Sequence, residues 1–438
     1  MKKHLILTAL TAVSAAFLLS ACGSGTGNKT SSGSGGGEKT ITLQIGGKED
    51  TEPTSQYMRS KKWATDFNKA HKGKIQVKIA SGRDPQDTLT AISAGSTPDI
   101  FSNYWNNVPQ WASSHAILNL TKYIKKSTIF NKDDFLPYAT KMASTPEGVQ
   151  YAVPSYTESS VLIYNRTMLK EAGYSEPPKT LDELVAMNKK ITKTENGKLT
   201  QAGFIPDQPW LDNVAWPVAT GAQWVNKEGK VTFDTAKMRK AYQIQVDIIK
   251  DLGGYKAEQQ FVSSIGKIQE ASDPVLNGKI AMMLVPDGWL AAYYKYGKKV
   301  DWDVAPFPSD SGENMITIGT YCINAKTKNP DAAWTVLEDF TSEKTLKKYF
   351  LDGDFNNGSI WARKSLINAL ATSKKYPAQI RTVAKNLETE KLRGFAITSY
   401  TNEYLDEITK EMSDALAGRQ SVADAAAKVQ KTMETKAK

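Results

Sequence analysis

Short apolar runs alternate with stretches of helical periodicity along the first part of the chain. Residues 41–45, 75–80 and 100–102 are rich in β-branched and aromatic residues, which favours strands. Between them, residues 63–71 and 88–94 carry apolar side chains at helical spacing. This alternation predicts an α/β fold.

The same alternation continues further along the chain. Residues 161–164 form a compact apolar run, and residues 279–285 and 316–323 also have strand character. Thr180 and Glu183 have the spacing of a capping box, which predicts that a helix begins there. A second α/β unit is therefore expected after the first.

The C-terminal part has the pattern of consecutive helices. Asn329 followed by Pro330 predicts a helix start with the asparagine side chain as the N-cap. From Tyr400 onward the pattern is helical, and Gly418 is expected to end one helix before Ser421 begins the next. No internal repeat is visible in the sequence.

The N-terminus has the pattern of a processed export signal. Lys2 and Lys3 precede an apolar run at 5–19 that ends in LSAC, the residue order of a bacterial lipobox. We predict a signal peptide at 1–21, an acylated Cys22, and a flexible glycine- and serine-rich tether at 22–39. The protein is then expected outside the cytoplasm, anchored to the bacterial cell membrane by Cys22. An ordinary cleaved signal peptide is the alternative.

Length and cysteine content predict two domains without a disulfide. About 400 residues follow the tether, more than one core usually holds. Once Cys22 is acylated, Cys322 is the remaining thiol, so no disulfide can form within the chain. The fold must therefore be stabilised by its core.

Charge and histidine content argue against several functions. The formal net charge is +10, but the basic residues are scattered and mixed with acids, so no nucleic-acid partner is expected. His4 lies in the predicted signal peptide, His71 at a helix end and His115 in a loop. These separate positions argue against a metal site or a histidine-based catalytic site. No Walker-type loop occurs. We expect no cofactor and no catalytic residues, and hence a protein that is not an enzyme.

Several separate segments carry a resemblance to one family. They are AGSTPDI at 94–100, YAVP at 151–154, LIYNR at 162–166, PPKTLDEL at 177–184, GKIAM at 278–282, APFP at 305–308 and KNPDAAW at 328–334. In their order and spacing these segments resemble extracellular solute-binding proteins of family 1, which serve ABC sugar importers and include maltose-binding protein.

The resemblance implies a two-lobed periplasmic-binding-protein-like α/β fold with an interlobe cleft and three hinge crossings. The crossings are expected near 151–158, 316–320 and 351–359. Lobe 1 would comprise 40–152 plus 321–352, and lobe 2 would comprise 153–320 plus 353–438. The resemblance also implies a monomer that delivers a carbohydrate to ABC permease subunits with a cytoplasmic ATPase.

Sugar binding requires flat aromatic faces and planar acceptors for hydroxyl groups, placed where strands end. Trp289 corresponds to the family's stacking tryptophan. Glu158 has the position of a sugar-binding glutamate, with a turn-capping hinge residue as the alternative. The segment of Asn103, Trp105 and Asn106 follows a predicted strand and matches a sugar-binding segment of the family.

The remaining candidates are less closely matched. Trp210 and Trp216 share a proline-rich loop, in which a stacking role and a structural plug are both open. Tyr321 stands where many relatives carry a tryptophan, and Trp361 stands where many carry a proline. Lys48 and Glu49 form a polar pair after the first strand. Trp63, Trp302 and Trp334 have the pattern of core residues, whereas Trp111 and Trp224 are unassigned.

Two alternatives to a sugar receptor stay open. A receptor for a charged small solute, such as a phosphorylated polyol or a polyamine, would use an arginine cluster or an acidic cage, and Arg83, Arg166 and Arg363 keep the anionic version open. A lipid-anchored glycosidase would need two carboxylates flanking the sugar, and nothing in the sequence marks such a pair.

Overall fold

A computed structural model describes residues 37–95, 98–206, 209–351, 360–389 and 391–438, without the side chains of Pro209 and Trp210. The predicted signal peptide, Cys22 and most of the tether lie outside the described residues. So does most of the third predicted crossing at 351–359.

The described strands follow the predicted alternation closely. They are β1 (Lys39–Gln44), β2 (Ile75–Ala80), β3 (Ile100–Tyr104), β4 (Ala152–Asn165), β5 (Lys193–Glu195), β6 (Lys198–Phe204), β7 (Ile280–Pro286), β8 (Trp302–Pro306), β9 (Asn314–Ile323), β10 (Ile360–Trp361) and β11 (Leu392–Arg393).

Helices surround the strands. They are α1 (Gln56–Ala70), α2 (Pro85–Ser93), α3 (Val108–Ser113), α4 (Thr121–Lys126), α5 (Pro137–Met142), α6 (Arg166–Glu171), α7 (Leu181–Ile191), α8 (Pro209–Thr220), α9 (Ala236–Asp251), α10 (Tyr255–Val262), α11 (Leu290–Tyr296), α12 (Pro330–Phe340), α13 (Glu343–Leu346), α14 (Lys364–Thr372), α15 (Ala378–Leu387), α16 (Thr401–Leu416) and α17 (Val422–Lys436).

The sheet is mixed and is built around two long strands. Its main path runs β2-β1-β3-β9-β4-β7-β6-β5, with β8 and β10 also paired to β4 and β11 to β9. β1 is parallel to β2 and β3, whereas β9 is antiparallel to both β3 and β4. Strands β4 and β9 therefore connect the β1–β3 part of the sheet to the β6–β8 part.

The pairing of β4 with β9 is interrupted in the middle. Ala152, Val153 and Pro154 pair with Cys322, Tyr321 and Thr320, and the register shifts before Thr157 pairs with Ile318. Such an irregularity bends a strand and re-aims its side chains. It lies inside the first predicted crossing.

Two buried clusters hold the elements together. One cluster packs β1 against α1 and α12, with Trp63 and Trp334 among its members, and the other contains Trp302 together with β4, β7 and α16. These three tryptophans are core residues, as predicted. Trp111 and Trp224, which the sequence left unassigned, are buried as well.

The predicted helix termini are largely confirmed. Thr180 and Glu183 form a complete capping box at the start of α7, and Ser421 caps α17 through the backbone N–H of Asp424. Asn329 is a correction: it occupies the N-cap position of α12, but its side chain makes no capping hydrogen bond. Its backbone N–H instead donates to Oγ1 of Thr327 at 3.3 Å.

Within the described ranges, none of the helices has the length and apolar character that crossing a membrane requires. Cys322 is buried and is a free cysteine.

Candidate functional site

A cavity of about 440 Å³ lies where β3 ends, where β4 crosses the sheet and where β7 ends. Its lining comes from four strand-associated segments and two helices: Tyr104, Trp105, Asn106, Tyr156, Thr157, Glu158, Val214, Pro286, Gly288, Trp289, Thr317 and Leu405. The structure thus brings together four of the predicted site residues, which are Trp289, Glu158, Trp105 and Asn106.

Trp289 lies on a short 3₁₀ turn that follows β7. This turn spans Asp287–Trp289 and leads directly into α11. The indole is partly buried against the core and also lines the cavity, so part of its surface is available to a ligand. Trp105 lines the same cavity from a 3₁₀ turn after β3 and packs on Phe395, with ring centroids 6.0 Å apart. The cavity therefore has indole rings from two separate turns.

Glu158 supplies the carboxylate of the cavity. Its Oε2 accepts a hydrogen bond from Oγ1 of Thr317 at 3.2 Å, across the β4–β9 pair. Burial raises the pKa of Glu158, and the bond from Thr317 opposes this rise. Among the described lining residues there is no lysine or arginine to pair with it. The carboxylate is therefore free to accept donors from a ligand.

Asn106 lines the cavity at the end of β3 and is anchored by a neighbouring helix. Its Nδ2 donates to Oδ1 of Asn402 on α16 at 2.7 Å. This bond leaves the amide oxygen of Asn106 as a polar group at the cavity, where a hydroxyl donor could meet it.

Tyr156 is a cavity residue that the sequence analysis missed. It lies in the irregular part of β4 and lines both this cavity and a second one. Its ring lies directly over Gly319 of β9, where an added Cβ would lie 2.4 Å from Cε1 of Tyr156. Tyr156 and Tyr104 are hydrogen-bonded to each other, and burial raises the pKa of both phenols. The β4–β9 pairing that brings Gly319 opposite Tyr156 is visible in the structure and not in the sequence, so no sequence signal pointed to this residue.

The second cavity, of about 280 Å³, lies on the other side of Tyr156. It is lined by Gly47, Lys48, Asp50, Ser55, Gln56, Tyr57, Tyr156, Phe350 and Trp361. Two predicted residues, Lys48 and Trp361, belong to it. Glu49 does not line it but accepts a hydrogen bond from the Tyr57 hydroxyl at 3.3 Å.

Besides Glu49, three predicted residues lie outside the cavities. Asn103 is buried, and its Oδ1 accepts from the Tyr104 backbone N–H at 2.9 Å and from Asn107 Nδ2 at 3.0 Å. It lies within β3, which runs two residues further than predicted, so its side chain faces the interior. Asn103 is therefore a structural residue in this arrangement.

Tyr321 and Trp216 are also buried in the core and line neither cavity. For Trp216 this favours the structural plug over the stacking role. Tyr321 is 1% exposed and stacks beside Trp361, with centroids 6.5 Å apart. Its hydroxyl accepts from Nε2 of Gln56 at 3.3 Å. Trp216 is fully buried on α8 and donates from Nε1 to Asp212 Oδ1 at 2.9 Å. The side chain of Trp210 lies outside the described residues.

Metal binding has no support in the part of the chain that the structure describes. Within it, no three histidine, cysteine, aspartate or glutamate side chains are arranged to hold an ion. The chemistry of the cavity is that of aromatic surfaces, amides, hydroxyls and one carboxylate, which suits a neutral polar ligand.

The fold has the α/β architecture of periplasmic sugar-binding proteins. The chain superposes on the sugar-binding protein MalE of Xanthomonas citri with a TM-score of 0.74 at 17% identity, over 91% of this chain and 97% of that one. At this identity the likeness shows the fold alone, and it confirms the predicted fold class.

The family follows from the sequence match. Residues 62–381 match the bacterial extracellular solute-binding protein family, and the chain belongs to that family. It is 30% identical over 169 residues to the diacetylchitobiose-binding protein DasA of Streptomyces coelicolor, which covers 38% of this chain and 37% of the relative. It is 25% identical over 355 residues to the multiple sugar-binding protein of Streptococcus mutans, which covers 77% and 78%. These relatives are binding proteins and not enzymes.

Proposed function

We propose that this protein is the substrate-binding lipoprotein of an ABC importer and that it captures a carbohydrate, most simply an oligosaccharide, in the cavity beside Glu158. The observation that carries the proposal is the convergence of Trp105, Tyr156 and Trp289 with Glu158 on one cavity. These side chains come from three separate segments of the chain.

The chemistry of these side chains matches a sugar. Apolar C–H faces of a pyranose pack on flat aromatic rings, and its hydroxyls need acceptors that can take two donors. Trp105 and Trp289 supply the rings, Glu158 supplies a carboxylate, and Asn106 supplies an amide. The second cavity, which shares Tyr156, gives room for a ligand of more than one sugar unit.

The mechanism that we propose is closure of two lobes over the ligand. The lobes are those expected from the sequence, 40–152 plus 321–352 and 153–320 plus 353–438, and β4 and β9 cross between them. A ligand that contacts both lobes favours the closed state, because its affinity for that state is higher. The permease would then recognise the closed, monomeric protein.

A charged ligand is supported less well by the arrangement of the arginines. Arg363 is buried and pairs with Asp134 at 3.0 Å, and Arg166 pairs with Asp301 at 3.3 Å. Neither lines the two cavities, and Arg83 lines neither. The cationic version, with an ammonium group at Glu158, is the second outcome that the binding test separates.

Isothermal titration calorimetry with a ligand panel tests the proposal. The purified secreted protein is titrated with diacetylchitobiose, maltotriose and mannotriose as sugars, and with glycerol 3-phosphate and spermidine as charged solutes. We expect at least one sugar to bind and the charged solutes not to bind. Binding of a charged solute alone, or release of reducing sugar during the titration, contradicts the proposal.

Membrane attachment through Cys22 has its own test. Since Cys22 is the single acylation site that the sequence offers, Cys22→Ala should leave the protein without a lipid anchor and release it from the membrane fraction into the medium. Cell fractionation with an antibody against the protein measures this. Ser20→Ala, which keeps the cysteine, is the control, and retention of Cys22→Ala in the membrane contradicts the lipid anchor.

A further inference from the structure

The 3₁₀ turn that contains Trp289 is attached to strand β4 by one buried carboxylate. Asp287 is fully buried, and its Oδ2 accepts from Ser159 Oγ at 2.9 Å and from the Ser159 backbone N–H at 3.3 Å. Thr157 Oγ1 also lies 3.4 Å from this oxygen, but its shorter bond is to the Ile360 carbonyl at 3.0 Å. Thr157 and Ser159 flank Glu158 in the chain. A single oxygen atom thus joins the turn of the proposed stacking tryptophan to the strand segment of the cavity carboxylate.

The other oxygen of Asp287 has no such support. Oδ1 is buried and makes no hydrogen bond of regular geometry in the part of the chain that the structure describes, although the Gly288 backbone N–H acts on the carboxyl group and opposes the rise in its pKa. Burial raises the pKa of Asp287 to about 7, and the negative charge of Glu158 contributes to this rise. The partners on Oδ2 are hydroxyl and amide groups and include no cation. A proton on this carboxyl group is therefore favoured by its surroundings.

Among the titratable groups near Asp287, Glu158 is the one whose charge acts on it. The 3₁₀ turn packs against β4 and α11. On β4 the titratable groups are Tyr156, Glu158 and Tyr164, of which Glu158 acts on Asp287. On α11, Tyr293 is buried and its hydroxyl donates to Oδ1 of Asp273 at 3.2 Å. Lys295 lies over the exposed ring of Tyr296.

We propose that Asp287 is a positioning residue of the ligand site, which holds Trp289 beside Glu158 and makes ligand affinity depend on the protonation of its own carboxyl group. The inference rests on the proposed function. A sugar that covers Glu158 removes water from the cavity, so that two nearby negative charges repel more strongly. Protonated Asp287 removes this repulsion and still accepts the bonds from β4 through its carbonyl oxygen.

The test is the pH profile of affinity, measured by calorimetry with whichever of diacetylchitobiose, maltotriose and mannotriose binds. For the wild-type protein we expect binding to weaken by about tenfold between about pH 6 and about pH 8.5, as for a one-unit pKa change on binding. Asp287→Asn keeps an acceptor for Ser159 but cannot ionise, and its affinity should change less than about twofold over this range.

Asp273→Asn is the matched control. Asp273 is also buried, and burial raises its pKa, but it does not line the cavity. Its variant should keep the wild-type pH profile of affinity. The proposal is wrong if Asp287→Asn retains the wild-type profile, or if Asp273→Asn flattens it to the same extent.

Ser159→Ala keeps the test decisive if Asp287→Asn does not fold. The Ser159 hydroxyl bond opposes the rise in the pKa of Asp287. Its removal should therefore move the midpoint of the affinity profile to higher pH. An unchanged midpoint in Ser159→Ala would overturn the proposal.

The melting temperature without ligand separates this inference from the sugar assignment. An aspartate whose pKa is raised from 3.8 to about 7 on folding stabilises the protein fully below about pH 4, and this contribution is lost as the pH rises through about 7. The difference in melting temperature between wild type and Asp287→Asn should therefore change between these values. If it does while no sugar binds at any pH, the proposed function fails and the titration of Asp287 stands.

Discussion

Trp216 and Trp289 are two tryptophans of the same buried cluster that differ in how far their rings are covered. Trp216 lies on α8 with its ring against the edges of Phe204 and Phe307, at 5.9 and 5.1 Å between centroids, and it is fully buried. Trp289 lies on a short turn after β7, where the core covers part of the ring and the rest faces the cavity.

The hydrogen bond of the indole N–H explains how the ring of Trp216 can be fully buried. In Trp216 it donates to Asp212, four residues earlier in the same helix. A buried indole needs such a partner, and the helical spacing supplies it within α8. An acidic residue four positions before a tryptophan in a helical stretch is therefore a sign of a core residue, and this sign was present in the sequence.

The largest effect is expected on stability, from the removal of the buried Trp216. Trp216→Ala should lower the free energy of unfolding by about 3–5 kcal/mol, because it leaves a large cavity among aromatic rings. Urea denaturation followed by circular dichroism measures this. Sugar affinity of the folded fraction should stay near the wild-type value, and a selective loss of affinity at unchanged stability would place Trp216 in the site.

Trp289→Ala should show the opposite combination. Loss of a stacking ring at the centre of the cavity is expected to weaken sugar binding by about 2 kcal/mol, which is about thirtyfold. The loss of stability should be clearly smaller than for Trp216→Ala, since the ring is only partly buried. Calorimetry and urea denaturation of the same preparation measure both quantities. Wild-type affinity, or a stability loss equal to that of Trp216→Ala, contradicts the stacking role.

A smaller effect is expected at Glu158. Glu158→Gln keeps the size of the side chain and one acceptor, but it replaces a charged hydrogen bond to a hydroxyl by a neutral one, which should cost about 1 kcal/mol of binding free energy. Calorimetry at about pH 6, where Asp287 is protonated in our proposal and does not repel Glu158, measures it. Glu195→Gln on the exposed strand β5 is the control. Equal affinity in both variants would remove Glu158 from the ligand contacts.

Locally encoded features were predictable from the sequence. The capping box at Thr180, the cap at Ser421 and the core positions of Trp63 and Trp334 depend on residues within a few positions of one another. Periodicity and side-chain hydrogen bonding are enough to find such features. The fold class followed from the order of strands and helices together with the family resemblance.

The cavity was only partly predictable, because its lining depends on the register of distant strands. Tyr156 reaches the cavity through the irregular pairing of β4 with β9 and through Gly319, which no local pattern in the sequence specifies. Asn103 faces the interior and Tyr104, for which the sequence suggested no role, lines the cavity instead, because β3 extends through Tyr104 and alternate side chains face opposite sides.

The β4–β9 pair also has a consequence for how the chain reaches its native state. Glu158 and Thr317 are neighbours across this pair but lie 159 residues apart in the chain. Contacts of such long range form slowly, because the entropy of closing the loop must be lost before they contribute. When the chain emerges N-terminus first, β4 has no β9 to pair with until Asn314–Ile323 has emerged. Export therefore has to deliver about three-quarters of the chain before the central strands can join, and until then the apolar side chains of β4 depend on other protection from aggregation.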